Sequence, residues 1–220
     1  MDGKRRTLLS TVPLVSFDGK STNSSQQLYQ RKIGCLLYAA VTTRVDVAHC
    51  AGKLAQYNKN PSPEHHIAAD NALLYLYNSQ YMAPKYGNDD DVDIRSFVCS
   101  SDAAFADDAV DRKSTQGFVL KLFGDPVAWR SSKQDTVTTS STEAELLALS
   151  QMAKEAIAVE HLFQALNLQL DEKLTIEVDN RQTMRLIIEE SVRLQTKLKH
   201  VDVHNHWLQQ AFAQNQIQLE

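Results

Sequence analysis

The sequence predicts an α/β fold: a mixed β-sheet with packed helices in the second half of the chain, and helices in most of the first half. Residues 27–78 carry three amphipathic patterns with the 3.6-residue period of an α-helix. Residues 97–130 carry three short strand patterns separated by polar turns. Helix and strand patterns then alternate from residue 141 to the end of the sequence.

The first half is predicted to contain three helices after an irregular lead-in over residues 1–25. The helices span about 27–40, 45–57 and 63–78. The third has the clearest start, because Ser62 is a good N-cap and Pro63 suits the first turn. These helices contain no obvious chemistry. The acidic stretch 88–91 is predicted to be a linker between a helical segment, 1–90, and an α/β domain, 91–220.

The second half is predicted to have the order strand-strand-strand-helix-strand-helix-helix. The strands are expected near 97–100, 117–123, 127–130 and 174–178, and the helices near 141–166, 182–192 and 201–214. The long helix has a capping box, because Ser140 is followed three residues later by Glu143. Residues 217–220 resemble the opening of one more strand.

Composition indicates an intracellular globular protein with no membrane partner. Of the 220 residues 43% are hydrophobic, and no uninterrupted apolar stretch is long enough to span a bilayer. The three cysteines lack metal-type spacing and are expected to be reduced and mostly buried. The net charge of −4 is unfavourable for binding nucleic acid, so any basic footprint must be local. The candidates are Arg112, Lys113, Arg130, Lys133, Arg193, Lys197, Lys199 and His200.

Three acids occupy positions from which they can converge. Asp102 is expected at the end of the first strand, Glu145 in the first turns of the long helix and Asp179 at the end of the fourth strand. Carboxylate oxygens of this kind suit Mg²⁺ or Mn²⁺. Two such ions about 3.5–4 Å apart can activate water and stabilise the leaving oxygen of a phosphodiester. Spacing alone leaves a structural role as the commoner explanation for any single acid.

The surrounding motifs strengthen the case for a site. They occupy residues 101–107, 111–119, 127–134, 140–146, 178–180 and 199–206. In sequence and in order, they resemble the ribonuclease H domain of copia-type LTR retrotransposon Pol polyproteins. Residues 29–38, 43–46 and 72–77 resemble the reverse transcriptase thumb or connection segment that precedes this domain. The resemblance covers nearly the whole chain.

The resemblance implies a ribonuclease H-like fold that cuts the RNA strand of an RNA–DNA hybrid with two Mg²⁺ or Mn²⁺ ions. It implies that Asp102 bridges both ions, and that Glu145 and Asp179 hold the second ion on the leaving-group side. In this family the acid of the long helix directly precedes a leucine, which selects Glu145 over Glu143.

Three further residues are supporting candidates: Ser140, Glu143 and Asn180. For Asn180 two roles stay open, a contact to nucleic acid and a cap on the following helix.

The sequence departs from the family pattern in three places. Ala104 replaces the second aspartate of the usual Ser-Asp-Ala-Asp-Trp, and Val45 replaces a proline. The family's fourth metal carboxylate comes from a helix after the strand that 217–220 would open. We therefore expect a C-terminally truncated domain that lacks its last strand and helix. Asp202 is an alternative fourth ligand; otherwise Asp202 and its neighbouring histidines form a helix face.

Two functions are compatible with these motifs. The first is an RNA–DNA hybrid endoribonuclease, with the rest of the reverse transcriptase polyprotein as partner. The second is a catalytically inactive retroelement fragment that at most binds nucleic acid or a partner. The Tyr-x-Asp-Asp motif of a polymerase does not occur in the sequence. The family implies an intracellular location, in cytoplasmic virus-like particles, with the nucleus as a further site.

Overall fold

A computed structural model describes residues 14–87, 95–108, 110–168, 174–189, 194, 196 and 198–220. The chain forms two compact units, Met1–Lys85 and Tyr86–Glu220. The predicted acidic linker at 88–91 and the end of the predicted helix 182–192 lie outside the described residues. Within the described part of the chain, no helix has the length and apolarity needed to cross a membrane.

The described part of the first unit is helical, as predicted. Its elements are α1 (Asn23–Thr42), a 3₁₀ turn (Val45–Val47), α2 (Ala48–Ala55) and α3 (Pro63–Asn78). Helix α1 begins before residue 27 because the Thr22 side chain accepts a hydrogen bond from the backbone N–H of Ser25. The predicted second helix opens as a tighter turn, whose β-branched Val45 and Val47 are poor helix formers.

A buried tyrosine and a buried arginine tie the first unit together. The Tyr29 side chain is fully buried, and its hydroxyl donates to the Leu54 carbonyl at 2.8 Å. The Arg44 guanidinium lies 2.7 Å from the Asp46 carboxylate and also donates to the hydroxyl of Ser79. The hydrogen bond with Arg44 lowers the pKa of Asp46, although burial opposes this shift. These polar groups therefore have structural roles within the helical unit.

The second unit is a five-stranded mixed sheet with helices packed on it, which confirms the predicted fold class. Its elements are β1 (Phe97–Ala104), β2 (Thr115–Leu122), β3 (Asp125–Lys133), α4 (Ser141–Ala165), β4 (Thr175–Glu177), α5 (Arg181–Ile188), α6 (Lys199–Ala213) and β5 (Gln218–Leu219). The strand order is β3-β2-β1-β4-β5. Strands β1, β2 and β3 are antiparallel, whereas β4 runs parallel to β1 and β5 runs parallel to β4.

The expectation that the last strand is missing is wrong for the strand itself. Residues Gln218–Leu219 form β5, which pairs with Thr175 and Ile176 of β4. The Glu220 backbone carbonyl accepts from the N–H of Val178, and its side chain pairs with Arg95. Backbone hydrogen bonds hold this short strand in place, because the N–H groups of Gln218 and Glu220 donate to the carbonyls of Leu174 and Ile176 at 2.9 and 3.0 Å.

The core lies between the sheet and α4, α5 and α6. It contains alternate residues of β1, Phe97 and Cys99, together with Leu146 and Leu149 of α4. This packing fixes the first turns of α4 above the end of β1. Cys99 and Cys50 are buried as expected, but Cys35 is exposed on α1.

Candidate metal centre

The structure brings Asp102, Glu145 and Asp179 together. One carboxylate oxygen from each residue lies within 4.8 Å of the oxygens from the other two. The side chains of Asp102 and Asp179 are exposed, and that of Glu145 is half-buried. The cluster is therefore open to solvent on one side and closed by α4 on the other.

Strand register explains why the two aspartates meet. Strand β4 runs parallel to β1, and Glu177 pairs with Ser100. Asp179 and Asp102 each lie two residues beyond this pair, so the chain delivers both carboxylates at the same level of the sheet. Asp102 lies inside β1, two residues before its end, rather than at the predicted terminus. Asp179 lies in the short turn between β4 and α5.

Capping of α4 places Glu145 and assigns a different role to Glu143. The Ser140 hydroxyl accepts from the backbone N–H of Glu143 at 3.2 Å. The Glu143 carboxylate accepts from the backbone N–H and the hydroxyl of Thr139, at 2.6 and 2.8 Å. Burial opposes ionisation of Glu143, but hydrogen bonds from Thr196 and Thr139 lower its pKa. Glu143 is therefore a buried structural acid, and Glu145 is the acid of α4 in the cluster.

Repulsion within the cluster favours a bound cation. Burial, followed by the charges of Asp102 and Asp179, raises the pKa of Glu145 to about 7, against a partly compensating hydrogen bond from the Ala103 backbone. A divalent cation among the three oxygens would remove this repulsion. The donor set consists of carboxylate oxygens, the ligands that Mg²⁺ and Mn²⁺ prefer. The residues present thus fit a divalent metal site.

The structure assigns the capping role to Asn180. Its side-chain oxygen accepts from the backbone N–H groups of Gln182 and Thr183, at 3.0 and 3.1 Å. These bonds start α5 directly after Asp179 and hold the turn that carries this carboxylate.

Asp202 is not brought into the cluster. Among the described residues, the acidic group contains Asp102, Glu145 and Asp179. On α6, the Asp202 carboxylate faces His206 at 3.6 Å. The other two histidines have separate partners: His204 contacts the Ser150 hydroxyl, and His200 contacts the hydroxyl of Thr136. The fourth-ligand alternative for Asp202 is therefore wrong in this structure, and the helix-face alternative stands.

Two of the predicted basic residues, Arg193 and Lys197, lie outside the described residues. A third, Lys133, is already paired: its ammonium group lies 2.8 Å from the carboxylates of Asp108 and Asp111. Burial opposes ionisation of Asp108, but the bond from Lys133 and two backbone N–H groups hold its pKa well below the ordinary range. Lys133 therefore stabilises the loop after β1. Because two carboxylates already pair with its ammonium group, Lys133 is a poor candidate for a contact to phosphate.

Sequence reasoning missed two groups beside the cluster, the backbone N–H of Ala103 and the side chain of Gln134. The Ala103 N–H bonds to the carboxylate of Glu145. The Gln134 amide donates to the carbonyl of Ala144, directly before Glu145. Residue type and spacing do not reveal either contact, because both depend on how α4 packs against the sheet.

The solved structures that are similar to this chain include ribonuclease H domains. Similar solved structures include ribonuclease H1 LC11 from compost: 10% identity, TM-score 0.42, covering 58% of this chain and 84% of that one. Ribonuclease H1 from Halobacterium salinarum gives 15% identity and a TM-score of 0.39, covering 56% and 83%. A foamy viral protease–reverse transcriptase gives 14% identity and a TM-score of 0.33, covering 94% and 35%.

The chain is similar over most of its length to copia-type retrotransposon Pol polyproteins, which confirms the resemblance. It is 30% identical over 188 residues to the Pol polyprotein of transposon TNT 1-94 from Nicotiana tabacum, covering 86% of this chain. It is 29% identical over 214 residues to that of transposon RE2 from Arabidopsis thaliana, covering 96% of this chain. In both cases the chain spans only 14% of the relative's length.

A shorter relative is matched over most of its own length. The secreted RxLR effector protein 161 of Plasmopara viticola is 39% identical over 129 residues, covering 59% of this chain and 89% of the effector. No family model matches the chain.

Proposed function

We propose that this chain is a retrotransposon-derived ribonuclease H that hydrolyses the RNA strand of RNA–DNA hybrids. The observation that carries this proposal is the meeting of Asp102, Glu145 and Asp179, whose oxygens lie within 4.8 Å of one another. Such a cluster matches the chemistry of metal-assisted phosphodiester hydrolysis. Similarity to retrotransposon Pol polyproteins supports the choice of a hybrid as substrate.

The proposed site would hold two Mg²⁺ or Mn²⁺ ions, and their chemistry when bound would be activation of a water and stabilisation of the leaving oxygen. Asp102 is proposed to contact both ions, and Glu145 and Asp179 to hold the ion on the leaving-group side. The chain's own contribution is the placement of three carboxylates on rigid elements. β1 fixes Asp102, α4 fixes Glu145, and the Asn180 cap fixes the turn that holds Asp179.

Local positive charge is needed to bind the hybrid, since the whole chain carries a net charge of −4. Arg112, Arg130 and Lys199 have exposed side chains and are proposed contacts to phosphates. Arg181, the exposed first residue of α5, lies two residues after Asp179 and is a further candidate. Each of these contacts would weaken with added salt.

A cleavage assay tests this proposal. Purified protein is incubated with a hybrid labelled on its RNA strand, with Mg²⁺ or Mn²⁺, beside the D102N variant. We expect cleavage of the RNA strand by the wild type and loss of cleavage in D102N. D202N is the matched control, because it removes an exposed acid that lies outside the cluster.

The result that would overturn the proposal is cleavage absent from the wild type, or equal in the wild type and D102N. Loss of cleavage in D202N as well would move the site to α6 and contradict the proposed ligand set.

A second candidate function is a binding module without catalysis. The match to 89% of the Plasmopara viticola effector favours it, because a stretch of this size exists there as a separate protein. In that case the hybrid would bind to the wild type and to D102N with equal affinity, and neither protein would cleave it.

The two units are proposed to correspond to parts of the polyprotein. The helical unit would be the reverse transcriptase thumb or connection segment, and the sheet unit the ribonuclease H domain. The rest of the reverse transcriptase would then be a partner of the helical unit. Cytoplasmic virus-like particles and the nucleus are the proposed locations.

A further inference from the structure

We propose that Gln134 is a positioning residue whose buried amide clamps the first turn of α4 against the sheet and so sets the separation of Glu145 from Asp102. The catalytic meaning of this inference rests on the proposed function. The clamp itself is a property of the fold and can be tested without any nuclease activity.

Gln134 lies directly after β3 and is 3% exposed. Its backbone N–H donates to the carbonyl of Ser114 at 2.8 Å, which fixes the end of β3 beside the start of β2. Its side-chain nitrogen donates to the carbonyl of Ala144 at 2.8 Å and to the side-chain oxygen of Gln116 at 3.1 Å. One buried amide therefore joins the sheet to the first turn of α4.

Both acceptors lie next to residues of the carboxylate cluster or their neighbours in the sequence. Ala144 directly precedes Glu145 on α4. Gln116 of β2 pairs with Ala103 of β1, which directly follows Asp102 and whose N–H bonds to the Glu145 carboxylate. The amide of Gln134 thus joins α4, at the residue before Glu145, to the β2 residue that pairs with Ala103, and so adds a second polar connection beside the bond from Ala103 to Glu145.

Stability alone does not account for an amide at this position. The side-chain oxygen of Gln134 is buried and has no hydrogen-bond partner among the described residues. A buried acceptor without a partner destabilises the folded state. An apolar side chain of the same size would avoid this cost, but it would also remove the bond to the Ala144 carbonyl. The hydrogen bond from the Gln134 amide to the Ala144 carbonyl is therefore the contact that an apolar residue cannot make.

The test compares Gln134→Met with Ser150→Ala. Methionine keeps the length of the side chain and removes both donated bonds. Ser150 is a matched control, because its polar side chain is buried like that of Gln134 and also makes a hydrogen bond that involves α4. Its partner is His204 of α6, and Ser150 lies further along α4 than the turn that carries Glu145. The first readout is amide hydrogen exchange over residues 142–146 and at Ala103. The second is Mn²⁺ affinity measured by calorimetry.

We expect Q134M to exchange faster at these amides and to bind Mn²⁺ about tenfold more weakly, as loss of groups that orient metal ligands does elsewhere. S150A should leave both quantities at their wild-type values, even if it lowers the melting temperature. Unchanged exchange in Q134M at residues 142–146 would overturn the inference, as would an equal effect of both variants.

The proposed metal site can fail separately from the clamp. If the wild type binds no Mn²⁺, or binds Mn²⁺ as tightly as D102N does, the proposed metal site is contradicted. The exchange rates of Q134M relative to S150A would still decide whether Gln134 holds α4.

Discussion

Replacing Glu145 by glutamine removes one of three carboxylates that lie within 4.8 Å of one another. Glutamine keeps the size of the side chain and one oxygen that can accept from the Ala103 N–H, so the main change is the loss of a negative charge. We expect the metal-free E145Q protein to be more stable than the metal-free wild type. The same substitution should abolish stabilisation of the protein by Mg²⁺, because a ligand is lost.

The distances and exposure set the size of the effect. Two unit charges 4.8 Å apart repel each other by about 0.9 kcal/mol in water and by about 3.5 kcal/mol at an effective dielectric constant of 20. Asp102 and Asp179 are exposed, which places the expected gain near the lower end, at about 1–2 kcal/mol. For a chain of this size that corresponds to a rise in melting temperature of about 2–8 °C.

The gain should also depend on pH in a defined direction. The pKa of Glu145 is about 7 in the folded protein and ordinarily 4.5. Between these values the folded state keeps a proton that the unfolded state releases, so the metal-free wild type loses stability as pH rises from about 4.5 to about 7. The difference between E145Q and the wild type should therefore be small at pH 4 and largest at pH 8.

The assay is thermal unfolding in EDTA across this pH range, repeated with excess Mg²⁺ at pH 8. D202N serves as a charge-matched control, because it also removes one carboxylate. An E145Q protein that is less stable than the wild type at pH 8 in EDTA would refute the reasoning. So would equal stabilisation of E145Q and the wild type by Mg²⁺.

Three further predictions concern stability, each measured by denaturant unfolding. K133M should lose about 1–3 kcal/mol at neutral pH, because the buried Asp108 carboxylate loses a charged partner. The pKa of Asp108 is depressed in the folded state, so its stabilising effect in the wild type should disappear as pH falls below its ordinary value of 3.8, and K133M should be less sensitive to acid. Y29F should cost about 1 kcal/mol, since the buried Leu54 carbonyl loses the hydroxyl donor, although it keeps the backbone N–H of Tyr57; a neutral result would contradict the packing of the helical unit. S140A should cost about 1 kcal/mol through loss of the α4 cap, and no change would show that α4 begins elsewhere.

Local patterns predicted most of the helices and strands. Helix α3 begins at Pro63, where the Ser62 cap predicted it, and α4 begins at Ser141 after the Ser140 cap. Caps are readable from sequence because the side chain and the backbone groups it satisfies lie within three residues. The strand pattern at residues 217–220 was predicted, but the expectation that the domain lacks its last strand was wrong, because β5 depends on pairing with β4, more than 40 residues away in the chain.

The three acids of the cluster were predicted, but their supports were not. Asp102, Glu145 and Asp179 stand in recognisable motifs at the ends of predicted elements. Asp202 stands in an equally recognisable motif, and the structure places it away from the cluster. The spacing of residues along one helix does not predict which other element that helix packs against. Gln134 was missed for the same reason, since its role depends on burial at a contact between a strand end and a helix.

The central claim is that Asp102, Glu145 and Asp179 form one metal site, and anomalous diffraction from crystals soaked in Mn²⁺ tests it most directly. We predict an anomalous peak in direct coordination contact with carboxylate oxygens from all three residues. The same soak of D102N crystals should show a weaker peak or none. Manganese found only at other acids, or no peak among these three carboxylates at saturating Mn²⁺, would contradict the claim.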